Sequence, residues 1–184
     1  MPPAVDAMMA RLNTPSGGIA LLLLTTLLAR LAFAGALGLG IDESFMVAAG
    51  CTLQLSYFDH PPLAWWMAWS ATHLFGSDSA IVVRLPFILL FALTTWLMFR
   101  LTSRSFGVPA GLWSAVLFNT ALVFGITTGS WVLPDGPLIA ALVGCAPGLR
   151  ASISRNSYTR VRKVLLSVNS LPCVTTLLFR RGER

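Results

Sequence analysis

Three short stretches of an otherwise apolar chain carry the residue types that could do chemistry. Asp42 and Glu43 stand together at the end of a hydrophobic run, Tyr57-Phe58-Asp59-His60-Pro61-Pro62 follows fifteen residues later, and Pro134-Asp135-Gly136-Pro137 comes much further on. Carboxylates placed where a membrane helix meets water can do acid/base work on a substrate whose lipid tail stays in the bilayer. The paired prolines force an extended turn around Asp59 and His60, and a protonated His60 could pair with an anion. Read without wider context, the same residues describe a helix-terminal acid facing water and a solvated loop with a loop histidine.

The elements that must position these residues are membrane helices. With 55% hydrophobic and 11% charged residues, and a mean hydropathy of +0.75, the chain is too apolar for an ordinary soluble domain. The formal net charge of +6 does not point to nucleic acid, because eight of the thirteen Lys+Arg lie between Arg150 and Arg184 and no basic stripe interleaved with aromatics exists elsewhere. Cys51, Cys145 and Cys173 are far apart and lack CxxC spacing, which disfavours a metal site or a disulfide framework. No Walker, Rossmann or zinc-hydrolase pattern supports a soluble enzyme.

Gly18 to Ile41, Ala80 to Phe99 and Pro109 to Thr128 are each of spanning length. Arg11 and the Ala32-Phe33-Ala34 triplet give the first run some features of a signal peptide, but 24 residues is long for one. The second and third runs flank a short connector, Arg100 to Val108, so a tight helical hairpin is expected. Its two arginines, against no Lys or Arg at all in the 38-residue loop from Asp42 to Ser79, place the connector and the amino terminus in the cytoplasm and the loop outside. Within the loop, Trp65, Trp69 and Thr72, and likewise Leu63, Trp66 and Met67, fall at helical spacing, so short juxtamembrane helices with Pro61 or Pro62 near the first turn are expected. A plain interfacial aromatic belt would account for these tryptophans equally.

Inside the spans, Arg30 has no acid to neutralise it and requires a bundle interior or a water-filled cleft. Asn119 reads as an interhelical hydrogen-bonding group. Arg84 could snorkel to the headgroups or offset phosphate charge. From Leu138 a fourth span begins, but Pro147, Gly148 and Arg150 break it at about half the required length. From about Val143 the composition changes and no period of 3.6 or 2 persists. Residues 143–184 are therefore expected to be out-of-frame translation of a longer polytopic gene, the alternative being a genuine polybasic tail that binds anionic lipid. The corresponding domain division is a cytoplasmic segment at 1–17, a membrane domain at 18–142 and the basic tail.

Asp42-Glu43-Ser44, Tyr57-Phe58-Asp59-His60-Pro61-Pro62-Leu63, Leu74-Phe75-Gly76, Val83-Arg84-Leu85-Pro86, Phe106-Gly107 and Pro134-Asp135-Gly136-Pro137, taken in order, resemble the amino-terminal part of the dolichyl-phosphate-mannose protein mannosyltransferase-like membrane glycosyltransferases, the GT-C class. The likeness covers roughly residues 15 to 142, and bacterial members of the aminoarabinose-transferase-like and lipopolysaccharide-core-transferase-like branches are the most similar. The fold class expected is an all-α integral membrane GT-C-type helical bundle. It would be truncated to about three to four transmembrane helices, with an outer loop of juxtamembrane helices.

The resemblance implies an inverting transfer of a sugar from a polyprenyl-phosphate-linked donor onto a lipid, glycan or protein acceptor at the outer face, in the bacterial inner membrane. Asp42 would be the general base, Glu43 its neighbour or substitute, and Asp135 a second outer acid that orients acceptor or sugar. Tyr57, Asp59, His60 and Arg84 would meet the donor and its phosphate. Some related enzymes need a divalent cation and others do not, so that cofactor stays open; no nucleic-acid partner is implied. Because family members use many more spans to build the donor cavity, impaired activity is expected of a truncated chain. The reading from a different class is a small non-catalytic membrane protein, an assembly partner or lipid-surface adaptor using its acidic aromatic loop.

Overall fold

A computed structural model describes residues 14–58, 60–121 and 123–148. The chain divides into two compact units, Met1–Gly144 and Cys145–Arg184, and the architecture below is that of the first. Among the described residues every regular element is helical: α1 Pro15–Ala36, α2 Ile41–Ala49, α3 Leu63–Phe75, α4 Ala80–Phe106, α5 Val108–Thr120, a π-helical segment Val123–Thr128, and a helix over 135–148. Two of them, α1 and α4, are long and apolar enough to cross a membrane.

The first span is shorter at its carboxyl end than the hydrophobic run. α1 starts on Thr14, whose hydroxyl accepts the Gly17 N–H at 3.2 Å, and stops at Ala36 because Leu37 turns to extended backbone. Asp42 and Glu43 therefore do not close the first span. They sit in the first turn of a separate helix, α2, where acids complement the helix dipole. A sequence reader sees one apolar run through Ile41 because Leu37, Leu39 and the glycines carry no polar signal.

α3 forms where the aromatic spacing predicts it, with Pro62 immediately before it and the left-handed Gly76 (φ 61°) just after it. Ala64, Trp65, Ala68 and Ala71 form its buried stripe. Trp65 packs with Met46 of α2 and Val83 and Phe87 of α4, and Val132 completes that core; the Trp65 indole N–H is also directed at the Met46 sulfur. Trp66, by contrast, faces outward and donates to the Gln54 carbonyl at 2.9 Å.

The connector between the second and third runs is not a loop. α4 continues through Arg100–Phe106, and Gly107 alone, at φ 92°, separates it from α5. Only glycine adopts that φ without strain, and Pro109 starts the next helix at its first turn. The hairpin is close: a Cβ on Gly111 would lie 2.9 Å from the Phe99 carbonyl oxygen and 3.0 Å from the Ser103 Cβ. Gly111→Ala should consequently destabilise the hairpin by about 1–3 kcal/mol through overpacking. Thermal unfolding of the purified variant would check this, and an unchanged midpoint would show that the two helices can separate without cost.

The third run is likewise divided. α5 ends at Thr120, Ala121 takes extended backbone (ψ 118°), and the chain resumes as the π-helical segment. Phe91, Phe118 and Phe124 stack across the break at centroid distances of 4.7 and 5.4 Å. Nothing in the apolar lettering from Ala121 to Gly125 announces this interruption. Where the fourth run is expected, a helix begins earlier than the hydrophobicity suggests, at residue 135, and is described through residue 148. The basic tail beyond residue 148 lies outside the described residues, as does the amino-terminal segment 1–13.

Candidate active site

Glu43 and Arg84, 41 residues apart in sequence, form a buried two-pronged ion pair at the top of the bundle. The Arg84 Nε donates to Glu43 Oε1 at 2.8 Å and its Nη2 to Oε2, and each residue is 2% exposed. This side-on fork is the geometry in which a guanidinium binds a carboxylate most specifically. The remaining Arg84 donors go to the carboxyl end of α1, with Nη1 reaching the Leu37 carbonyl at 2.9 Å and Nη2 that of Gly38 at 2.9 Å. A cation thereby satisfies carbonyls that the helix end leaves without partners.

The carboxylate of Glu43 is equally committed. Its Oε2 accepts the Gly40 N–H at 2.9 Å, fixing the entry to α2, and its Oε1 accepts the Val132 N–H at 3.2 Å. Four segments converge on this one pair: the end of α1, the start of α2, the amino-terminal end of α4, and the chain at 131–134.

Burial by itself would raise the Glu43 pKa, but the Arg84 hydrogen bond, the Gly40 N–H, the Arg84 charge and the Val132 N–H outweigh it. Together they hold the carboxyl below its ordinary value of 4.5. A group depressed in the fold stabilises it fully above the unfolded-chain value and loses that contribution as pH falls through the folded-state value. Stability should therefore be flat with respect to Glu43 above about pH 5 and should decline on acidification below it. Denaturation monitored from pH 7 to pH 3 in wild type and Glu43→Gln would test this; parallel profiles would show that Glu43 is not the group responsible.

Among the described residues the other acids face outward. Asp42, beside Glu43 in the first turn of α2, is exposed. Asp135 is exposed as the first residue of the helix over 135–148, and Leu138 N–H donates to the Pro134 carbonyl at 3.2 Å to start that helix. The chain around Asp135 is thus a helix amino terminus, where Pro137 costs nothing because first-turn N–H groups lack intrahelical acceptors. The Glu43–Val132 hydrogen bond joins the two acid-bearing segments, since Asp42 is the neighbour of one partner and Asp135 lies three residues beyond the other.

Tyr57 is half-buried. Its ring meets Trp65 edge to face, its hydroxyl donates to the Thr52 carbonyl at 2.8 Å, and it accepts the Gln54 N–H at 3.2 Å, so it folds the loop over α3. His60 is exposed next to the Pro61-Pro62 pair. Asp59 lies outside the described residues. Among the described residues no group of three His, Cys, Asp or Glu side chains clusters in a way that could hold a metal ion.

Sequence reasoning paired neither Glu43 with Arg84 nor Arg30 with the third run. The charge inventory held the only usable signal: two arginines in apolar runs with few acids available to meet them.

A family model described as dolichyl-phosphate-mannose-protein mannosyltransferase matches residues 59–157, more than half of the chain. The matched segment contains Asp59, His60, Arg84 and Asp135, begins after Asp42 and Glu43, and runs past Val143. No curated protein matches the chain. No solved structure matches it either.

Proposed function

Since this chain belongs to the dolichyl-phosphate-mannose-protein mannosyltransferase family, membrane glycosyltransferases of the GT-C type, we propose that it transfers a sugar from a polyprenyl-phosphate-linked donor to an acceptor hydroxyl at the outer face of a bacterial inner membrane. The observation that carries this reading is the Glu43–Val132 hydrogen bond, which ties an exposed Asp42 to the segment bearing an exposed Asp135. Two carboxylates on adjoining helix starts, at the rim of a membrane bundle, suit a reaction in which one partner is an amphiphile.

In this mechanism Asp42 takes the proton of the acceptor hydroxyl as its oxygen attacks the anomeric carbon. The bond from that carbon to the phosphate oxygen breaks, and polyprenyl phosphate leaves with the electron pair. The acceptor approaches from the side opposite the phosphate, so the anomeric configuration inverts. Asp135 orients the acceptor or the sugar. His60 and Asp59, on the loop that Tyr57 folds, meet the donor's phosphate end, with protonated His60 pairing with the anion. Glu43 and Arg84 serve as the buried pair that holds the acid-bearing segments together.

The finer assignments extend the same reading. The subgroup proposed is the aminoarabinose-transferase-like branch, the architecture a GT-C bundle of three to four spans with cytoplasmic amino terminus, and the acceptor a lipid, glycan or protein. The test is turnover of a polyprenyl-phosphate sugar by the wild-type chain and by Asp42→Asn.

A second reading has its own support. Leu55 and Phe58, 88% and 103% exposed, project from the outer loop, and such side chains suit contact with a lipid surface. A non-catalytic adaptor acting through that loop would tolerate Asp42→Ala and lose membrane-surface contacts when Leu55 and Phe58 are made polar.

A further inference from the structure

Arg30 lies six residues, roughly 9 Å, below the end of α1, and it is 9% exposed. Its hydrogen-bond acceptors are neutral and come from the interrupted third run and from Ser130 just beyond it. Nη1 donates to the Gly125 carbonyl and, at 3.1 Å, to the Ser130 hydroxyl; Nη2 reaches the Asn119 side-chain oxygen at 3.3 Å. The guanidinium lies 4.2 Å from the Phe91 ring centroid, and a Cβ on Gly129 would come within 2.8 Å of Arg30 Cζ and 3.1 Å of Phe91 Cγ. Arginine is thus packed against an aromatic ring and a glycine backbone. Asn119 is fixed in turn by donating to Thr95 Oγ1 at 3.1 Å and to the Ala115 carbonyl at 2.9 Å.

A charge at membrane depth is expensive, and so is irregular backbone whose polar groups find no partner there. Here the two compensate. The acceptors are the Asn119 side chain near the end of α5, the Gly125 carbonyl of the π-helical segment and the Ser130 hydroxyl, so one guanidinium spans the break and the chain beyond it. The chain that leaves this clamp at Ser130 reaches Val132, bonded to Glu43, and then Asp135.

We propose that Arg30 is a positioning residue of the transferase site: it holds the interrupted third run in the shape that brings the chain at 130–132 to the Glu43 carboxylate, and with it the segment that carries Asp135 to the one that carries Asp42. This rests on the reading of Asp42 and Asp135 as the acids of the site. A cleft of about 340 Å³ beside Arg30, lined by Thr26, Phe33, Asn119 and Thr120 among others, offers the competing role, direct binding of an anion.

The full chain in lipid-bilayer discs would be compared with Arg30→Met and with the milder Ser130→Ala, using amide exchange and steady-state transfer per folded molecule. Arg30→Met should raise exchange across 130–135 about tenfold or more while α3 keeps its protection. It should also lower kcat about tenfold or more with the donor KM within about twofold. Adding Ser130→Ala to Arg30→Met should cost little further, because both act through one contact. Unchanged exchange across 130–135 would overturn the proposal, and so would a donor KM raised about tenfold at constant kcat, which is the signature of an anion site. If Arg30→Met fails to insert, Ser130→Ala decides by the same readouts. If the wild-type chain transfers no sugar, the functional reading fails while the exchange comparison still decides what Arg30 holds in place.

Discussion

Arg84→Met should cost the folded chain about 3–5 kcal/mol, the penalty for leaving a buried charge without its partner. Glu43 is 2% exposed, and without the guanidinium its carboxylate keeps only the Gly40 and Val132 N–H groups. The carbonyls of Leu37 and Gly38 lose their donor in the same step. Two separate losses therefore add: an orphaned anion and an uncapped helix end. Pairing Arg84→Met with Glu43→Leu should recover much of the deficit, since an apolar pair of similar volume often matches a buried ion pair, though the α1 carbonyls would still lack a donor. Denaturant or thermal unfolding of the two single variants and the double would measure this. A double variant no more stable than the sum of the singles would mean that the two side chains are not coupled.

The second large effect concerns two neighbouring acids with opposite expected behaviour. Asp42→Asn should lower turnover about 10²–10⁴-fold, the range that a positioned general base contributes, with little change in stability because Asp42 is exposed. Glu43→Gln should instead destabilise the chain and reduce activity mainly through the folded fraction, because its carboxylate is consumed by Arg84, Gly40 and Val132. Turnover normalised to folded protein separates the two. Equal losses for both variants after that correction would remove the distinction between a base and a brace.

The outline of the fold was legible where a single residue type forces the backbone. Pro62 precedes α3 as the spacing of Trp65, Trp69 and Thr72 suggests, and the hairpin falls between the second and third runs, although its turn is Gly107 alone and not the Arg100–Val108 connector expected. Boundaries inside apolar runs were not legible. The end of α1 at Ala36 is met by Arg84, which donates to the carbonyls of Leu37 and Gly38, and the chain on both sides of the break at Ala121 is held by Arg30; both arginines lie tens of residues away. Asn119 was readable as an interhelical group because an amide in an apolar run must find partners, but not that Arg30 would be one of them.

The candidate site divides along the same line. Residue type and position marked Asp42 and Asp135 as exposed acids near helix ends. Glu43 and Arg84 looked equally available for chemistry, and only their mutual distance reveals that each is occupied by the other. An exposed acid at a helix start and a buried ion-pair acid one residue away are both simply carboxylates in the sequence, and long-range pairing, which a single sequence does not contain, distinguishes them.

The most direct test supplies a polyprenyl-phosphate sugar to the purified chain in bilayer discs and follows release of free polyprenyl phosphate with and without an acceptor hydroxyl. The account expects acceptor-dependent release by the wild-type chain and its loss in Asp42→Asn. No release by the wild-type chain, or equal release by both, would contradict it.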